Sequence, residues 1–218
     1  MACIAPSLVL TPQAAGQLGL VAEAIIARKY LSDVGRLAYF PAPPGMDFLD
    51  ITAGFGNTSL YAAFLVAKHP RLTAGQIVDL SNNGLVKIPD LVTSAPPSTT
   101  EFYEIKPNSP SGLAAGSTKI ANVHALYQSK GLPYTPGTKW KPDTRVNLFS
   151  GSLLGLEVEV NFHFFRVQPG LIAYEVCAEG RTKPLTNAEI AAIVAIVLLA
   201  LLAAALMGGI GAGLLVFA

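Results

Sequence analysis

The chain has 218 residues, enough for one domain of ordinary size with an appendage. Hydrophobic residues make up 51% and charged residues only 13%, too apolar for a plain soluble domain, and the excess is local: no charge falls between Ile190 and Ala218. A formal net charge of +1 excludes binding to nucleic acid by global charge, and seven Lys/Arg against four Asp/Glu between Lys87 and Arg145 make that stretch only mildly basic.

Residues 1–10 contain no basic region and no apolar run of signal-peptide length before Thr11-Pro12. Thr11-Pro12 reads as a helix N-cap followed by proline at the first helical position. A helix over residues 12–31 follows, with Leu18, Val21 and Ile25 on its apolar face. Glu23 is the only acid within it, and reads either as an exposed glutamate or as a carboxylate directed at a site. Cys3 and Cys177 lack metal-ligand spacing, which argues against zinc, and no disulfide is expected between them. Residues 30–50 are irregular because Pro41, Pro43, Pro44 and Gly45 break any element. Gly54-Phe55-Gly56-Asn57 is a turn and not a phosphate loop, since no Gly-Lys-Ser/Thr follows. Residues 58–68 form a short helix ended by His69-Pro70. Residues 76–80 read as a short strand or a helical turn, and Ser81-Asn82-Asn83-Gly84 as a tight turn into the next strand.

Residues 87–119 carry the chemistry. Ile88, Leu91 and Val92 suit a short strand, Pro96-Pro97 marks a loop, and residues 102–106 form a second strand stopped by Pro107. Glu104 and Lys106 are two apart, so both point to one face while Ile105 points into the core. If the two strands pair as a hairpin, Asp90 from the first converges on Glu104. Two carboxylates are the hard oxygen ligands that Mg²⁺ prefers, and a lysine beside them can orient attacking water or stabilise charge on a phosphate. Asp79 is a rival to Asp90 for the first acid.

A helix follows over residues 113–129. It begins with small residues that allow close packing on the sheet, carries Lys119, His124 and Gln128, and ends at Gly131. In the loop over residues 133–143, Lys139-Trp140-Lys141 is either ordinary loop or an aromatic placed between cations to stack on a base. Residues 153–167 alternate as a long strand with one buried and one polar face, and residues 171–177 return antiparallel after Pro169-Gly170. His163 and Glu175 belong to the polar face, with a solvated sheet face preferred over a metal role. Thr186 to Glu189 starts a last helix. The charge-free residues 190–218 are long enough to span a bilayer, and Gly209 and Gly213 have a GxxxG spacing. Arg181 and Lys183 before the span predict a cytoplasmic domain anchored at its C-terminus, with a buried soluble helix as the alternative.

Pro89-Asp90 followed by Glu104-Ile105-Lys106 resembles the signature of the PD-(D/E)XK, or restriction-endonuclease-like, nuclease superfamily, and YEIKPNSPSG is similar to the members found in bacterial polymorphic toxins. The resemblance covers residues 87–106 and extends less specifically to about residue 179. It implies an α+β fold, a mixed β-sheet flanked by helices over residues 1–185, here followed by a hydrophobic transmembrane-type helix within residues 186–218. It implies a metal-dependent nuclease with Mg²⁺ (or Mn²⁺) held by Asp90, Glu104 and the Ile105 carbonyl, Glu23 as a further ligand, and Lys106 as the catalytic lysine. Lys119, Lys139, Trp140 and Lys141 are then the candidates for contacting nucleic acid, expected to be DNA. The toxin-like members imply an immunity or delivery partner and a secreted effector. The reading from a different class is a non-catalytic, membrane-anchored interaction protein with a similar or another α+β fold.

Overall fold

The computed structural model describes residues 1–34, 61–62, 65–66, 68–81, 88–95 and 99–206. The expected turns at residues 54–57 and 82–84, the irregular stretch beyond residue 34, much of the helix over residues 58–68, and the Gly209/Gly213 spacing lie outside the described residues.

The strand order is β2-β3-β7-β6-β5, with β1 (Ala2–Ile4) added beside β7 and β4 (Thr135–Pro136) beside β3. β2 (Leu91–Ala95) and β3 (Thr99–Pro107) form the expected antiparallel hairpin, Leu91 opposite Tyr103. β3 then runs parallel to β7 (Leu171–Gly180), Glu104 opposite Leu171, which makes the sheet mixed. β5 (Asp143–Leu153), β6 (Leu156–Gln168) and β7 form an antiparallel meander. β5 is a strand the sequence reading did not assign. The turn that separates it from β6 is Leu154-Gly155, with φ of 54° and 74°, the two positive values of a type I′ hairpin turn. Leucine gives no turn signal there, so Leu153 was expected inside the following strand.

Helices cover both faces. α1 (Pro12–Val34) starts as read, its Ala14 N–H donating to Thr11 Oγ1 at 3.3 Å. It lies with α4 (Asn187–Leu206) over Val158, Val160, Phe162 and Phe164 of β6 and Ile172, Tyr174 and Val176 of β7. α3 (Pro110–Ser129) covers the other face with Ile120, Val123 and Tyr127 packed on Phe102, Val92 and Leu171. Ser109 caps it by accepting from the Gly112 N–H at 3.1 Å, and Gly131 follows with φ 67°. α2 (Ala74–Ser81) settles the ambiguity at residues 76–80 in favour of a helix. Its start is a capping box: Thr73 N–H donates to Gln76 Oε1 at 2.9 Å, and Gln76 N–H to Thr73 Oγ1 at 3.3 Å.

One expectation, the membrane span, finds no support among the described residues, and another is corrected. Among the described residues no helix is long and apolar enough to cross a membrane. α4 begins at the predicted Thr186–Glu189 box, the Glu189 N–H donating to Thr186 Oγ1 at 3.3 Å. It then buries Ile190, Ile193, Val194, Val197, Leu198 and Leu202 in the same core as α1. These buried residues follow the i, i+3, i+4, i+7 spacing of a helix with one face against a core. The correction concerns Cys3 and Cys177, which face each other across the β1–β7 ladder and form a disulfide. Their sequence separation of 174 hid a pairing that the sheet creates.

Candidate active site

The site forms where β2 leaves β3. The Asp90 N–H donates to the Tyr103 carbonyl at 3.1 Å, the first rung beyond the strand proper. The Asp90 side chain then replaces the missing strand: its Oδ2 accepts from the Ile105 N–H at 2.7 Å. This bond fixes the aspartate against the edge of β3, beside Glu104 and Lys106. The opposite edge of β3 is held by β7, the Glu104 N–H donating to the Gly170 carbonyl at 2.7 Å. Ile105 points the other way and is buried in the core, as the alternation requires.

Lys106 and Lys119 close the cluster. The Lys106 ammonium donates to Glu104 Oε1 and to the Ile105 carbonyl, the latter at 3.0 Å, and lies 3.7 Å from Asp90 Oδ2. The Lys119 ammonium lies 2.8 Å from Glu104 Oε1 and 3.5 Å from Asp90 Oδ1. Lys119 reaches the site because α3 rests directly on the stem of Lys106. A Cβ on Gly116 would stand 3.0 Å from Lys106 Cγ and 2.6 Å from Leu171 Cδ1, so the small residues at the start of this helix allow the close approach. The Glu104 side chain is 1% exposed and that of Lys106 24%, so the cluster opens to solvent on the lysine side.

Glu23 arrives from α1 on the opposite face of the sheet. Burial, and then the charge of Asp90, push its carboxyl well above the ordinary glutamate range, with Glu104 adding to the effect and the two lysines opposing it. Burial and Asp90 likewise raise Glu104 to about 7. For Asp90 burial is outweighed by Lys119, Lys106 and the Ile105 N–H, which hold it below the usual carboxylate range. Burial opposes the charge on Lys106, but Asp90 and Glu104 dominate and raise it above the usual lysine value; Lys119 shifts the same way. The carboxylates therefore divide into one held below the ordinary range, Asp90, and two held above it, Glu23 and Glu104.

The donor set suits a hard divalent cation. Asp90 and Glu104 supply carboxylate oxygens beside the Ile105 carbonyl, and Glu23 belongs to the same electrostatic cluster. No three carboxylates among the described residues draw within 4.8 Å of one another; Lys106 and Lys119 bridge Asp90 and Glu104 instead.

The other expected site residues are elsewhere. Trp140 is not available to stack on a base. It is buried, its ring edge-on to Tyr30 and Tyr103 at 4.9 and 5.8 Å between centroids, and its indole N–H donates to Asp33 at 3.0 Å. Lys139 and Lys141 are exposed on either side of it. Asp79 pairs with Lys130 at 2.7 Å, on α2 and away from Glu104. His124 is half-buried on α3, and Gln128 is exposed. His163 lies between Asp143 and Glu175, at 2.8 and 3.0 Å from its two ring nitrogens, and Glu175 also accepts from Asn108 at 2.6 Å. The sheet face around it is a hydrogen-bonded network and not merely solvated.

One buried acid went unread. Glu101 accepts from Tyr103 Oη at 2.9 Å, from the Thr138 N–H at 3.0 Å and from the Lys139 N–H at 3.3 Å. It ties the loop before β5 to β3 and has no solvent-facing role. Its signal was its place two residues before Tyr103 on the face that alternation buries.

Against models of known protein families, curated proteins and solved structures, the chain finds no match.

Proposed function

We propose that the chain is a metal-dependent nuclease of the restriction-endonuclease-like class that hydrolyses phosphodiester bonds, with DNA as its substrate. The observation that carries this reading is the convergence of Asp90, Glu104, Lys106 and Lys119 at the divergence of β2 and β3. Of the sequence candidates, these come from three parts of the chain, and each lysine lies within 4 Å of both carboxylates.

Asp90, Glu104 and the Ile105 carbonyl would hold Mg²⁺, with Glu23 supporting from α1. When bound, the cation supplies Lewis-acid polarisation of the scissile phosphate and a lowered pKa for its water. The chain's own residues supply the rest. Lys106 is held in its charged form by its two carboxylate neighbours, so its role is donor and not general base. Its N–H groups, on the solvent side of the cluster, orient the attacking water and stabilise the charge that develops on the phosphate. Lys119 fixes the Glu104 carboxyl from above and adds a second positive charge beside the same phosphate. Glu104, raised to about 7 by burial and Asp90, exchanges its proton near the pH at which the cation must displace it.

The test uses the full chain with supercoiled plasmid and single-stranded RNA, in Mg²⁺, in Mn²⁺ and in EDTA. Cutting of the plasmid that EDTA abolishes is the expected result. Cutting of RNA alone would replace the substrate and keep the chemistry. No cutting by folded protein with either cation would overturn the reading.

A further inference from the structure

A second basic feature lies outside the catalytic cluster. Lys68, His69, Arg71 and Gln76, from the loop before α2 and its first turn, face Lys130 and Gly131 at the end of α3 across a cleft of about 420 Å³. Lys68 and Arg71 are exposed. Lys130 is paired with Asp79 of α2 at 2.7 Å. The His69 ring is held by Tyr134 Oη at 2.8 Å, which keeps the loop that carries Lys68 and Arg71 against the body of the domain.

The position of the cleft follows from α3. Lys119 and Lys130 are eleven residues apart, which is three helical turns, so both fall on nearly the same face about 16 Å apart along the axis.

We propose that this cleft anchors the phosphate backbone of the nucleic-acid substrate, about 16 Å along α3 from the phosphate held at Lys106 and Lys119. This rests on the nuclease reading. The anchor contacts phosphate and not base, so it contributes affinity and register without sequence preference. Asp79 restrains it, because its carboxylate competes with phosphate for Lys130.

The test measures fluorescence anisotropy of a short labelled DNA duplex with the full chain in EDTA, over a range of salt concentrations. The Lys68→Ala/Arg71→Ala double variant changes only exposed side chains. It is expected to bind about tenfold more weakly at low salt, with a salt slope shallower by about 2. Asp79→Asn is expected to bind a few-fold more tightly. In Mg²⁺ the double variant should show a raised KM with kcat retained. If the wild type binds and cuts while the double variant binds with equal affinity and slope, the anchor is overturned and the nuclease stands. If the wild type binds with a slope that the double variant reduces, yet never cuts, the anchor stands and the nuclease reading is overturned. No binding by the wild type overturns the anchor, and cleavage in Mg²⁺ then decides the nuclease reading by itself.

Discussion

At the scale of single residues, the proposed chemistry depends on which groups in the cluster hold protons. Glu104 has its carboxyl raised to about 7 in the fold, whereas in the unfolded chain it returns to about 4.3. Between those values the folded chain binds a proton that the unfolded chain lacks, so Glu104 makes stability fall as pH rises through that window. Asp90, held low by Lys119, Lys106 and the Ile105 N–H against its burial, acts in the opposite sense: its contribution is present above the ordinary aspartate range and lost below it. Urea midpoints measured in EDTA should therefore decline between about pH 4 and pH 7, by up to roughly 3 kcal/mol from Glu104. In Glu104→Gln the decline should shrink, leaving the part due to Glu23, which shifts the same way. An unchanged profile in that variant would contradict the assignment. The residues of this cluster were the most readable part of the sequence, because strand alternation alone places Glu104 and Lys106 on one face. Lys119 was read as a nucleic-acid contact or a surface lysine, since nothing local says that α3 lies on the stem of Lys106.

At the scale of elements, close contacts between strands, loops and helices determine where the site sits. Gly137 packs on the ring of Tyr103: a Cβ there would stand 2.0 Å from Tyr103 Cζ, and that ring is fully buried in the core. Gly137→Ala should destabilise by about 3 kcal/mol or more, an overpacking cost at the upper end of the usual range, and thermal melting would show it. A wild-type Tm would mean that the loop gives way freely. The Cys3–Cys177 disulfide ties β1 to the centre of the sheet. Closing so long a loop is worth up to about 5 kcal/mol in the chain-entropy account, so reduction or Cys3→Ser should lower the Tm of oxidised protein by many degrees. An equal Tm with and without reductant would show that the bond does not form in solution. Periodicity revealed α1, α3 and β6 because each has one apolar side. It missed β5, whose limit is set by Leu154-Gly155 and not by a polar turn, and it left Trp140 as ordinary loop or a base-stacking ring, because flanking lysines are uninformative about a ring that turns inward.

At the scale of the whole molecule, α4 belongs to the same core as the catalytic sheet. Its six buried aliphatic residues, Ile190, Ile193, Val194, Val197, Leu198 and Leu202, at roughly 1.5–3 kcal/mol each, represent about as much free energy as the 5–15 kcal/mol net stability of an ordinary domain. A chain ending at residue 185 should therefore fail to unfold cooperatively, and a sharp transition in that truncation would contradict the packing. The uncharged tail was visible in the sequence, but the packing of residues 190–202 on the sheet was not, since hydropathy does not say which side of such a helix meets a core. For this reason the decisive measurement belongs to the full chain: single-turnover cleavage of supercoiled DNA in Mg²⁺ by the wild type and by Lys106→Ala, with circular dichroism of both. The expected result is cleavage by the wild type and a rate lower by at least about 10²-fold in the folded variant. Equal rates in the two proteins would remove Lys106, and with it the site built around Asp90 and Glu104, from the reaction.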